Sequence, residues 1–144
     1  MRDSVEQGPV NQPGRTLGDF IGRWRLTRQI RHTGGAQAEF AGHAVWQPEA
    51  QELIYHETGL LQMPGSQPMQ AERKYLWREG LCVYFDDGRF FHQVPARGGN
   101  AEHWCDPDTY SVRYDFADWP AFSTAWTVRG PRKDYEMSSQ YERC

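Results

Sequence analysis

Turn-forming residues interrupt this chain about every 8–12 residues from Thr16 onward, and apolar and polar side chains alternate between the interruptions. The breaks fall at Thr33-Gly34-Gly35, Pro48-Glu49-Ala50, Met63-Pro64-Gly65-Ser66, Glu79-Gly80, Asp86-Asp87-Gly88, Pro95 to Asn100, Asp106-Pro107-Asp108, Ala117 to Pro120 and Gly130-Pro131. Nine breaks delimit ten strands. The sharpest is Asp87-Gly88, because glycine tolerates the positive φ that a tight hairpin demands. Outside Thr16 to Phe20, which predicts one helical turn leading into the first strand, no stretch keeps apolar residues at helical spacing. Strands joined by short turns with no long crossover form a meander, and closing a meander hides its exposed edges. The expected fold is all-β: a single antiparallel up-and-down β-barrel of about ten strands with a short helical turn before the first strand. A two-sheet sandwich is the alternative built from the same strands.

The 144 residues suit one domain with a core of its own. Hydrophobic residues make up only 38% of the chain, yet six Trp, seven Tyr and seven Phe bury large areas each, which favours a thin wall around aromatic side chains. Residues 1–15 hold two Pro and two Gly with little to bury and read as a flexible arm, leaving 16–144 as the barrel domain. A net charge of −3, with both signs interspersed, offers no electrostatic footprint for nucleic acid or a membrane surface. The expected partner is a small molecule, and a homodimer is compatible with the pattern. Cys82, Cys105 and Cys144 have no CxxC spacing, so neither a disulfide framework nor a structural zinc site is expected. With no apolar leader before Arg15 and no segment of membrane-spanning length, the expected location is the cytoplasm.

Side chains alternate across a strand, which sorts each segment into two faces. The face carrying Trp24, Leu26, Trp46, Leu53, Met69, Trp77, Val83, Phe90, Val112, Phe122 and Val128 points inward. The same face collects Arg28, Tyr55, Glu57, Arg73, His92, His103, Tyr110 and Tyr114. A solid core does not ordinarily hold so many polar groups, because a buried charge is costly unless paired. A hollow barrel containing water or a polar ligand would.

Glu57 and Arg73 sit mid-strand on adjacent segments, where a hairpin sets them across from each other. Arg73 could grip a carboxylate or carbonyl while Glu57 orients it or moves a proton; the bland alternative is an ion pair that fixes register. His92 and His103 share a facing on neighbouring strands, with Cys105 two residues along. That spacing admits zinc or haem, but no carboxylate completes the set, and hydrogen-bonded core histidines are the expectation, with no metal. Tyr110, Tyr114 and Trp126 form an aromatic wall suited to core packing or to a planar guest. Asp118-Trp119-Pro120 reads as a lid or a packing plug. No P-loop, dinucleotide fingerprint or GxSxG motif is present.

Gly22-Arg23-Trp24 opens the first strand and resembles the Gly-x-Trp start of the calycin barrels: lipocalins, fatty-acid-binding proteins and nitrobindin-like haem barrels. In lipocalins a basic residue late in the chain packs over that Trp, which the resemblance assigns to Arg129, Arg132 or Arg143. Phe20-Ile21-Gly22-Arg23-Trp24, Ala71-Glu72-Arg73-Lys74-Tyr75-Leu76-Trp77, Asp87-Gly88-Arg89-Phe90-Phe91-His92, Ala101-Glu102-His103-Trp104-Cys105 and Gly130-Pro131-Arg132-Lys133-Asp134-Tyr135 together resemble a bacterial family known only as a domain of unknown function. The nitrobindin likeness would imply haem on a histidine near the C-terminal end, whereas the last histidine is His103.

The sequence therefore points to a calycin-like barrel binding a small, partly polar organic molecule. Glu57, Arg73, Tyr55, His92, His103, Tyr110, Tyr114 and Trp126 would line the site. Two rivals remain: a lyase or isomerase using acid–base chemistry on a carboxylate-bearing substrate, in the manner of phenolic-acid decarboxylases, and a solid barrel working through its surface.

Overall fold

The computed structural model describes residues 13–144. A single 3-10 turn, Leu17–Phe20, precedes ten strands: β1 Gly22–His32, β2 Gln37–Glu49, β3 Glu52–Gln62, β4 Met69–Arg78, β5 Cys82–Phe85, β6 Phe90–Gln93, β7 Gly99–Cys105, β8 Asp108–Asp115, β9 Phe122–Arg129 and β10 Asp134–Arg143. Each strand boundary coincides with one of the turn signals in the sequence. The strands form one antiparallel sheet in the order β6-β5-β4-β3-β2-β1-β10-β9-β8-β7, so β1 and β10 close the up-and-down arrangement. The barrel is nearly closed. Its seam lies between β6 and β7, which run near one another without a hydrogen-bonded ladder.

One end of the barrel is sealed by aromatic rings. The 3-10 turn delivers Phe20, fully buried, into the centre of Trp46, Trp77, Phe116, Trp119 and Phe122, all within 6.1 Å between centroids. Trp119 thus acts as a plug, stacked on Phe122 at 5.7 Å. The Arg15 guanidinium lies 4.5 Å from the Trp119 ring, and the Arg15 backbone N–H donates to the Ala96 carbonyl. The remainder of the expected arm, residues 1–12, lies outside the described residues.

The Gly-x-Trp opening has a physical explanation. Gly22 has φ +127°, a conformation side chains rarely adopt, and a Cβ there would stand 2.8 Å from the Arg143 guanidinium. That guanidinium lies 4.1 Å from the Trp24 ring and donates to the Ile21 carbonyl at 2.7 Å and to the Asp19 carbonyl. Of the three basic candidates, Arg143 therefore covers Trp24.

Alternation sorts the faces correctly along most strands, with two corrections. Met69, expected inside, is exposed at the first position of β4, where the wall ends. In β6 the register shifts: Val83 pairs with His92 but Tyr84 pairs with Phe90, leaving Phe91 as the extra residue of a bulge. The bulge turns Phe91 and His92 both inward and sends Phe90 to the surface, reversing the expected facing of Phe90.

Because Phe20 holds the sealed end together, removing its ring leaves a cavity that its rigid neighbours cannot fill. Phe20→Ala should cost about 3–5 kcal/mol, read as a lower urea midpoint with an unchanged slope.

Candidate functional site

Beneath the aromatic plug the barrel interior is hollow. A cavity of about 270 Å³ is lined by side chains from eight strands. Its polar centre is an ion pair. Arg28 donates through Nη1 to Glu57 Oε2 at 2.5 Å and through Nη2 to Glu57 Oε1 at 3.0 Å, while its Nε donates to Ser139 Oγ at 2.8 Å. Both partners are almost fully buried, at 7% and 2% exposure. Arg28 lies on β1 and Glu57 on β3, and the inward positions of β2 between them include Gly42 and Ala44, which carry almost no side chain. The guanidinium can therefore cross β2.

Tyr55 donates its hydroxyl proton to Glu57 Oε1. That proton is spent, so the 2.9 Å contact between the Tyr55 and Tyr141 hydroxyls is a donation from Tyr141. Burial alone would raise the Glu57 pKa, but the Arg28 hydrogen bonds and charge outweigh it and hold the carboxyl below its ordinary value. Burial likewise opposes the charge on Arg28, yet Glu57 lifts its pKa above the ordinary one. Burial pushes Tyr55 well up and Tyr141 to about 12. The network is thus a fixed ion pair with two protonated phenols. It satisfies the carboxylate completely.

Arg73, expected as the main partner of Glu57, is not. It pairs with Glu57 in register across β3 and β4, but its Nε stands 3.9 Å from Glu57 Oε2 and its side chain is 42% exposed. Alternation placed Arg28 on the inward face without assigning it to the site. Its register partner on β2 is Phe40, whose ring lies 5.5 Å from the guanidinium, so no local signal in the sequence sets it apart.

His92 is buried at 4% exposure, with Nε2 2.9 Å from the Tyr114 hydroxyl. Burial first, and then the nearby His103, push its pKa down to about 3, so the ring is neutral. Its Nδ1 has no hydrogen-bond partner among the described residues. Trp46 Nε1 shares that condition but sits in the aromatic seal, away from the cavity lining. Burial also raises the Tyr114 pKa well above its ordinary value.

Tyr55, Glu57, Arg73, His92, Tyr110, Tyr114 and Trp126 all line the cavity, as do Phe91, Tyr75 and Phe85, which sequence reasoning did not assign. Phe91 was hidden by the bulge. His103 does not line it: the half-buried imidazole packs in the β6–β7 seam, 5.5 Å from the Phe91 ring and 6.3 Å from that of Phe90. No three His, Cys, Asp or Glu side chains converge to hold a metal ion among the described residues, and Cys105 is only half-buried beside this seam. The outer wall has wider depressions, such as one of about 620 Å³ across Gly42 and Gly59, but they are open.

The model of a family of unknown function, DUF6314, matches residues 20–143. The chain belongs to that family. No curated protein matches it. Among solved structures, this DUF6314 member is similar to the S-type phycobiliprotein lyase CPES from Guillardia theta, with a TM-score of 0.64 at 8% identity over 89% of this chain and 90% of the other. That identity shows a shared fold alone. A de novo designed fluorescence-activating β-barrel is matched with a TM-score of 0.45 at 15% identity, over 89% of this chain and 96% of the design. No described helix is long and apolar enough to cross a membrane.

Two outcomes follow for the buried groups. Glu57→Gln leaves the Arg28 charge without its counterion and should cost about 3–5 kcal/mol in urea denaturation, whereas Arg28→Met combined with Glu57→Leu should restore much of the loss. For His92, the unfolded imidazole has the ordinary pKa of about 6.5, so the unfolded chain binds the extra proton between there and the folded value of about 3. The contribution of His92 to stability is therefore complete above pH ~6.5 and declines by roughly 1.4 kcal/mol per pH unit as pH falls toward 3. His92→Phe should remove one proton's share of the pH slope between about pH 6.5 and 4.5, measured by chemical denaturation at successive pH values.

Proposed function

We propose that this protein binds a small, partly polar organic molecule inside its barrel. The observation that carries the proposal is the interior cavity of about 270 Å³ with aromatic walls. An interior needed only for stability gains from being packed to the density of a crystal, since voids forfeit contacts on every lining atom. Here large side chains from eight strands instead surround open volume. The size is at the small end for ligand sites and suits a molecule of one to three rings. A haem macrocycle exceeds it. A solid barrel acting only through its surface does not account for the hollow.

The second reading, a lyase or isomerase, is favoured by one observation: the Tyr141 and Tyr55 hydroxyls, 2.9 Å apart, form a proton-bearing chain that ends on Glu57 at the cavity wall. The lyase whose fold this chain shares lends that reading an architectural parallel. Glu57 itself is committed to Arg28 through both oxygens, so a tyrosine would have to be the proton donor.

Titration with N-phenyl-1-naphthylamine, a neutral dye that brightens in apolar surroundings, tests the binding reading. Saturable one-to-one brightening is expected. Thr124→Phe and Met137→Phe, each filling the cavity from its wall, should abolish it while the melting temperature holds or rises. No brightening in the parent protein, or equal brightening in the filled variants, would sink the proposal.

A further inference from the structure

Two features of the same cavity specify what its guest looks like, and each rests on the ligand-binding reading above. The first is charge. The charged side chains of the lining are Arg28, Arg73 and Glu57, with His92 neutral, so two cations face one anion. Arg28 and Glu57 cancel in a bidentate pair. Arg73 is left over. Its Nε is 3.9 Å from Glu57, beyond hydrogen-bond range, and its half-exposed head stands where the cavity meets solvent. Burial raises the pKa of Tyr135, another lining residue, but the charges of Arg73 and Lys133 pull against that rise and so favour an anion at the same mouth. A guanidinium fork there suits a carboxylate.

The second feature is shape. The ring planes of Phe85, Tyr75 and Trp126 lie within 28° of that of Phe91, with centroids 4.5, 5.8 and 5.2 Å from it. All four rings line the cavity. The four rings stack on one another, and a flat guest extends that stack, whereas an alkyl chain gains nothing from its alignment.

We propose that the cavity takes a planar aromatic monoanion, its carboxylate on Arg73 at the mouth and its ring against Phe91 and Trp126. Ions of this class are aryl carboxylates.

Displacement of N-phenyl-1-naphthylamine tests the inference separately from the reading it rests on. The competitors are 6-hydroxy-2-naphthoate, its methyl ester and dodecanoate. The hydroxynaphthoate should displace the dye at about ten- to a hundredfold lower concentration than its ester, the range of a hydrogen bond to a charged group. Arg73→Gln should erase that difference while leaving the ester's own affinity unchanged. Dodecanoate should compete poorly. If the dye enters but acid and ester displace it equally, or if Arg73→Gln lowers both alike, the anion assignment is overturned and the cavity reading survives. Dodecanoate matching the naphthoate overturns the planar requirement. If the dye never enters, the ligand-binding reading itself is what has failed.

Discussion

A single buried ion pair organises this molecule. Arg28 on β1 and Glu57 on β3 meet through two hydrogen bonds, with Ser139 from β10 and Tyr55 from β3 completing the set. Four groups thus tie three strands together across the barrel interior, two of them strands that share no ladder. A hydrophobic cluster of the same volume would confer at least as much stability, because two charges give up their hydration on burial. What the pair supplies instead is position. It fixes the register of β1 against β2 and β3, and it places a fully satisfied polar surface in the middle of an apolar wall.

The aromatic seal and the hollow beneath it follow from barrel size. Ten strands enclose more volume than an eight-stranded barrel, which side chains alone can fill. Here the excess is divided. Phe20 and its ring of tryptophans and phenylalanines close one end, and the volume left at the other is the cavity. The same device ties the start of the barrel to its last strand. Arg143 holds the carbonyls of Asp19 and Ile21 beside the 3-10 turn and covers Trp24, so the plug is seated only when β10 has docked beside β1.

Local pattern carried the strands but not the exceptions to them. The alternation of Tyr55 and Glu57, or of Tyr110 and Tyr114, needs only the two-residue period of a strand, and those side chains do face inward. Phe91 violates the period because a bulge inserts it, and a bulge depends on which residue of β5 finds which of β6. His103 was misjudged for a related reason. It follows the period of β7, but β7 is an edge strand at the unpaired seam, so its inward side meets Phe91 and Phe90 rather than the cavity.

Strand number, strand order along a meander, the inward aromatic content and the polar groups among it could all be read from neighbouring residues. Each needs no more than a turn, a two-residue period or a short connection. Other features exist only once the barrel has closed: Arg28 rather than Arg73 binds Glu57, His92 keeps one nitrogen without a partner among the described residues, and the interior is hollow at one end. These depend on distances between residues far apart in the chain. Two arginines on the same inward face look alike in sequence. Arg28 reaches across β2 to Glu57 and is buried, whereas Arg73, paired with Glu57 in register, is left at the mouth.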